Sequence, residues 1–379
     1  MHVLVLPSFY PEKHRPNSGL FFFNQTKIVA DYVDKIGVVY VEQKSIKKIF
    51  NSILSNLYQK EIKFESGVLT YRRKGLSILN QYNFGSKIWI YLTEKLIFDY
   101  IKDNGKPDII HVHNLFNAGC VAYKIEKKFG IPFVITEHAS SFLLETYTVK
   151  QLNICRSIVD KSLALISVSS ALSISIKKQL GNRKINVVPN VFDTTLFKLR
   201  KKTPKDVYVF VCVGNLIPNK GQLFLIKSFA LAFPVYNSIQ LLIIGDGPDK
   251  EELENYVESN NLSDRIFFKN SISPSTLANT YNECDCLVSP STKETFGVVI
   301  IEAMACGLPV IATRSGGPQD IINEENGILV DYGSENQMAE ALKYLVLNKM
   351  KYNPTVISQI INEKFSPQVI ASQIIKFYV

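Results

Sequence analysis

The chain has 379 residues, 46% of them apolar and 20% charged, which suits two globular domains and excludes a disordered or low-complexity polymer. Six cysteines are too few for a disulfide framework, and nowhere do about 18 consecutive apolar residues occur, which excludes a membrane-spanning helix. The net charge of +9 is uneven: residues 1–200 carry 28 Lys/Arg against 15 Asp/Glu, and the remainder carries 15 against 19.

A basic half beside an acidic half points to an anionic partner, whether nucleic acid, anionic lipid or a pyrophosphate-linked acceptor. An uneven solvated surface is the bland alternative. Cys284 and Cys286 stand two apart with no second pair to complete a zinc site, and four of the cysteines lie in apolar runs as buried thiols do. The opening segment, His2 to Pro7, lacks a basic leader and a long apolar stretch. These features lead to the expectation of a cytoplasmic protein, with peripheral association at the inner face of the membrane added by the basic half.

Short β-rich runs alternate with helical patterns, which predicts an α/β protein with parallel sheets. In the first half strands are predicted at 2–6, 36–41, 108–112, 132–136, 163–168 and 185–188. In the second half they fall at 207–213, 239–244, 265–269, 285–288, 309–313 and 327–330. The first strand runs into a long loop ending at Gly19, before a helix starting near Leu20; Phe21 to Phe23 on that helix read as core. From Lys44 to Lys60, Ile46, Ile49, Phe50, Ile53, Leu54, Leu57 and Tyr58 share one helical face, with Lys44, Lys47, Lys48 and Lys60 mostly elsewhere. That pattern fits an interfacial helix or a core helix with a solvated lysine face.

His111 and His113 end a strand on one face, two apart. The spacing suits a metal, but no carboxylate or cysteine cluster joins them. His138 follows the next strand. Asn190 and Asp193, in VVPNVFDTTLF, read as turn formers. The charged stretch Lys198 to Asp206 is the natural linker, giving an N-terminal domain at 1–197, a linker at 198–206 and a C-terminal domain at 207–365. The final stretch, 366–379, reads as a helix. In VCVGNLIPNKG a strand ends in a glycine-containing turn, from which Lys220 can reach a pyrophosphate as a point charge. A solvated loop lysine is the alternative.

The most informative stretch is SPSTKETFGVVIIEAMACGLPVIA, from Ser289 to Ala312. Gly297 to Ala305 reads as a helix, closed by Gly307 and Pro309. Its amino end, next to Phe296 and Gly297, offers free amides and a positive dipole to a diphosphate. Glu302 lies among apolar neighbours inside that helix. Burying it is costly unless it accepts hydrogen bonds, and ribose hydroxyls are suitable donors. Glu294, in the loop before the helix, stands nearer a sugar.

Glu294 and Glu302, with the run E-x-F-G through E-A-M-A-x-G-x-P-V, resemble the signature of glycosyltransferase family 4, the retaining group 1 enzymes. The resemblance implies the GT-B fold: two Rossmann-like domains whose parallel sheets face a central cleft. It implies that Glu294 contacts hydroxyls of the donor sugar, Glu302 the ribose, and Lys220 the diphosphate. His138, in T-E-H, would lie near the donor sugar. Asn215 stands where the family has Arg, removing one of two cations set against the leaving diphosphate; Arg314 is a candidate replacement. Gly19 remains where the family often has two glycines close to the diphosphate. The final helix would return to the N-terminal domain.

The function implied is metal-independent hexosyl transfer, with retention, from a UDP- or GDP-type sugar. The acceptor would be a saccharide or lipid-linked saccharide of surface polysaccharide biosynthesis. No cofactor and no nucleic acid partner is expected, the nucleotide sugar being a co-substrate. Two rival readings are a nucleotide-sugar epimerase of the same fold and a non-catalytic nucleotide-binding partner subunit.

Overall fold

The computed structural model of the chain describes residues 1–12, 18–45, 60–65, 67–77, 84–201, 205–235 and 238–378. Two compact units result: Met1–Val168 with Ser173–Pro189 and Ile370–Val379, and Ser169–Leu172 with Asn190–Val369.

Up to Val187 the elements are β1 (His2–Pro7), α1 (Leu20–Ala30), β2 (Lys35–Ser45), β3 (Lys60–Glu65), β4 (Val68–Ser77), α2 (Phe84–Asn104), β5 (Ile109–His113), α3 (Ala118–Phe129), β6 (Phe133–Glu137), α4 (Val149–Val159), β7 (Ala164–Ser167), α5 (Ser170–Leu180) and β8 (Asn186–Val187). The strands form one sheet in the order β3-β4-β2-β1-β5-β6-β7-β8. Val3 to Leu6 in β1 are buried on both faces, which is why such strands read as continuous apolar runs. Register sets Pro7 beside His113 and His113 beside Thr136, so β1, β5 and β6 end level.

The predicted strands of the first half are all present, and two more appear. β3 and β4 pair antiparallel at the sheet edge, a departure from the all-parallel expectation. β3 reads KEIKFE, and its Ile62 and Phe64 are 47% and 75% exposed. Backbone pairing rather than burial sustains that strand, so it leaves no hydrophobic signature. The helix expected over Lys44–Lys60 is corrected at both ends: β2 runs on through Lys44 to Ser45, and β3 begins at Lys60. Residues 46–59 lie outside the described residues.

From Tyr208 onward the elements are β9 (Tyr208–Val213), α6 (Gln222–Ala232), β10 (Ile239–Ile244), α7 (Lys250–Ser259), β11 (Ile266–Lys269), α8 (Pro274–Glu283), β12 (Cys286–Ser289), α9 (Val298–Ala305), β13 (Val310–Thr313), β14 (Gly327–Val330), α10 (Glu335–Leu347), α11 (Pro354–Phe365) and α12 (Pro367–Ile375). Their strands are parallel, in the order β11-β10-β9-β12-β13-β14. This is the Rossmann order, and it reverses direction between β9 and β12. Local chemistry sets the helix starts. Ser273 accepts from the Thr276 amide at 3.2 Å ahead of Pro274, and Asn353 caps α11 ahead of Pro354.

The chain passes between units at Pro189 and Asn190, upstream of the charged stretch expected as linker. The residues in between carry it into the second core. Val191, Phe192 and Phe197 are buried, and the Phe197 ring lies 6.0 Å from that of Tyr281. The charged stretch packs on the same unit: Arg200 N donates to Asn282 at 2.8 Å, and Lys205 pairs with Asp285 at 2.7 Å. At the far end Ile370, Ala371 and Ile374 are fully buried and belong to the first unit. Among the described residues no helix is long and apolar enough to cross a membrane.

Candidate functional site

In an open parallel sheet, ligands bind beyond the carboxyl ends of the strands where the strand order reverses. In the second unit that place lies between the turn after β9 and the loop after β12. Lys220 comes from the first, in a short 3₁₀ turn, Pro218–Lys220. Glu294 comes from the second. Their side chains meet: Lys220 Nζ donates to Glu294 Oε2 at 2.6 Å, the lysine 27% and the glutamate 14% exposed.

Main-chain bonds hold both supports. Thr292 N donates to Asn219 O at 2.9 Å, and Glu294 N to Ser315 O at 3.0 Å. Gly317 N donates back to Glu294 O at 2.8 Å. Gly317 presses on the next residues, since a Cβ there would stand 2.3 Å from Phe296 Cα. Phe296 is buried, its ring edge-on to Phe365 at 5.8 Å. Gly297 then opens α9 with φ +99° and no side-chain cap. The first amides of the helix are therefore left for a ligand.

α9 is apolar around its whole circumference, with Ile300, Ile301, Ala303, Met304 and Ala305 fully buried. Glu302 sits within it at 7% exposure. Burial, and after it the carboxylate of Asp193, push the Glu302 carboxyl up to about 8. No hydrogen-bond donor to its side chain is present among the described residues. A carboxyl so placed keeps hydrogen-bonding capacity that suits the hydroxyls of a ribose, which both donate and accept. Asp193 itself closes a turn, accepting from Thr195 N at 2.9 Å and Leu196 N at 3.3 Å.

The remaining candidates of this unit stand apart from the pair. The exposed Asn215 uses its main-chain oxygen to accept from Gln222 Nε2 at 3.0 Å. Arg314 turns to Asp331, at 3.4 Å, and to Leu329 O, also at 3.4 Å.

In the first unit Gly19, with φ +68°, opens α1 under the Phe9 backbone; a Cβ would stand 2.6 Å from the Phe9 carbonyl carbon. Phe22 of that helix is buried and lies edge-on to His138, with ring centroids 4.8 Å apart. His138 Nε2 is 3.0 Å from His113 Nδ1, and the rings of His113 and His111 stack at 4.4 Å. Burial lowers His111 to about 3 and His113 well below the usual histidine value. Both His111 nitrogens are occupied, Nδ1 by Tyr378 Oη at 2.7 Å and Nε2 by Thr136 Oγ1 at 2.8 Å. A metal would have to displace one of them. Among the described residues no cluster of three or more His, Cys, Asp or Glu suits a metal ion.

Sequence reasoning passed over Glu137, which is fully buried and accepts from the amides of Leu115, His138 and Ala139 at 2.6–2.9 Å. Burial raises it to about 7 against those three donors. It fixes the chain on either side of His138. A carboxylate at a strand end next to a histidine was the available signal. A cavity of about 200 Å³ opens at the same strand ends, bordered by Phe9, Glu12, Tyr40, Trp89, Asn114 and Tyr147.

With this geometry described, comparison with known proteins places the chain. Residues 194–359 match the family described as Glycosyl transferases group 1, and residues 62–196 match Glycosyltransferase Family 4. An uncharacterized glycosyltransferase of Methanocaldococcus jannaschii is 31% identical over 278 residues, 73% of this chain and 72% of the relative. The D-inositol 3-phosphate glycosyltransferase of Segniliparus rotundus is 27% identical over 63% of this chain and 59% of its own length. Among solved structures, sucrose-phosphate synthase from Thermosynechococcus elongatus superposes with a TM-score of 0.82 at 20% identity, covering 100% of this chain and 98% of the other. Anabaena HepE in complex with UDP and glucose follows at 0.75 and 20% identity, covering 99% of each. The chain thus belongs to the group 1 glycosyltransferases of family 4 and has their GT-B fold.

Proposed function

We propose that the chain transfers a hexose-type sugar, with retention of configuration and without a metal, from a UDP- or GDP-type donor. The acceptor is a saccharide or a lipid-linked saccharide of surface polysaccharide assembly. The observation that carries this reading is the Lys220–Glu294 contact at the start of α9, with Glu302 buried farther along the same helix. Lys220 and the α9 amides oppose charge that develops on the departing diphosphate. Glu294 and His138 position the sugar, while Gly19 lets the backbone approach the diphosphate. Glu302 holds the ribose. Solved neighbours bound to UDP and to UDP-glucose support the UDP form of the donor.

The test measures transfer from a panel of nucleotide sugars in excess chelator. Glu294→Ala should lower transfer by about 10²-fold while nucleoside diphosphate still binds, as loss of a positioned transition-state contact does. Glu302→Ala should chiefly weaken nucleotide binding. Near-normal turnover in the Glu294 variant, or activity that needs an added divalent cation, contradicts the reading. Incubation with donor alone separates transfer from epimerisation.

The basic first 200 residues support peripheral association with anionic lipid. Sedimentation with anionic vesicles that is no greater than with neutral ones at low salt removes that part of the proposal.

A further inference from the structure

Lys220 and Glu294 are each other's sole side-chain partner among the described residues. Each is held from behind by main-chain bonds, through Asn219 in one case and through Ser315 and Gly317 in the other. The pair is partly buried, so its attraction is screened less than that of a surface pair. Neither of the two other candidate positions adds a cation to it. Asn215 is uncharged, and the Arg314 guanidinium is committed to Asp331. A diphosphate arriving at this site therefore draws on a lysine whose charge is already matched.

We infer that Glu294 withholds Lys220 from a bare nucleoside diphosphate and releases it when a sugar occupies the carboxylate, so that the ion pair discriminates donor from spent product. This rests on the donor-site reading above. A bare diphosphate must either crowd Glu294 with like charge or separate the pair and strand a half-buried carboxylate. With a sugar attached, its hydroxyls donate to Glu294, and the carboxylate has lone pairs for several such donors. Their bonds offset the separation, and Lys220 turns to the phosphates. Specificity is a difference of two affinities, and here the penalty falls on the product. Release of the nucleotide after transfer is the useful result.

The experiment is calorimetric titration of the full chain with UDP and with UDP-glucose, with GDP and ADP run alongside. It compares the wild type with Glu294→Gln, Lys220→Gln and the double variant, which keep side-chain volume. Melting curves establish that each is folded. Glu294→Gln should tighten UDP by about fivefold to tenfold, as freeing a partly buried charged group does, while UDP-glucose weakens. In the Lys220→Gln background the same change should leave UDP affinity within about twofold, because coupling vanishes with its partner. Unchanged or weaker UDP binding in Glu294→Gln overturns the inference. So does tightening that persists in full without Lys220, since that is plain repulsion and not the pair. Failure of the wild type to bind UDP-glucose and every nucleoside diphosphate alike removes the donor-site reading and this inference with it. Binding without the shift removes the inference alone.

Discussion

The hydroxyl of Tyr378 lies 2.7 Å from Nδ1 of His111. That bond joins the segment after α12 to the middle of the first sheet, across 267 positions of sequence. It also fills one of the two positions through which His111 would hold a metal.

Tyr378→Phe should therefore destabilise the first unit. The ring still packs, but a buried imidazole nitrogen loses its partner, at a cost of about 1–3 kcal/mol. Burial already lowers His111 to about 3, so the ring is neutral at pH 6 and at pH 8, and the loss should be equal at both. Urea unfolding of the two proteins at each pH measures it. A variant as stable as the wild type would show that the tail is not anchored by this bond.

Glu302 gives a pH signature. Its folded value, about 8, stands above that of an unfolded carboxyl, so the protonated form is the one the fold favours. The stabilisation from that preference is complete below about pH 4.5 and is lost as pH rises through about 8. Glu302→Gln keeps the neutral shape at every pH. Its melting temperature should pull ahead of the wild type between pH 5 and 8 and hold a constant lead above, while nucleotide binding weakens. Scanning calorimetry across that range decides the matter; a constant difference throughout means that the carboxyl is not perturbed.

Gly317→Ala tests the arm behind Glu294. The new methyl would stand 2.3 Å from Phe296 Cα, and neither backbone can give way without moving the loop. We expect a stability loss of about 1–3 kcal/mol from overpacking. Sugar transfer should fall by about tenfold or more, because a misplacement near 1 Å at a catalytic group is costly. Full transfer activity in a folded variant would show that Glu294 is positioned some other way.

Much of this was legible in the sequence, and what was not has a common cause. The twelve predicted strands are present, and strands such as β5, β6, β12 and β13 declared themselves as short apolar runs buried on both faces. The α9 helix declared itself through Gly297, Gly307 and Pro309, and Glu302 stood out as a charge in an apolar frame. β3 escaped because an edge strand with exposed Ile62 and Phe64 buries too little to leave a pattern. The compact units divide at Pro189 and Asn190, ahead of the charged run after Phe197, which looks solvated in sequence whereas Asn282 and Asp285 receive it. The meeting of Lys220 with Glu294 spans 74 positions and that of His111 with Thr136 spans 25. Such contacts are set by sheet register and strand order, which one sequence does not display.

The supports under Lys220 and Glu294 are made of main chain: Thr292 to Asn219, and Glu294 to Ser315 and Gly317. None of those bonds depends on which side chain occupies position 220 or 294. Descendants of this chain can therefore try other residues at both places while the loops keep their course. On the proposed reading, sugar preference becomes a trait that single substitutions can retune, separate from the ability to fold, and the backbone around the site is the part that inheritance must hold constant.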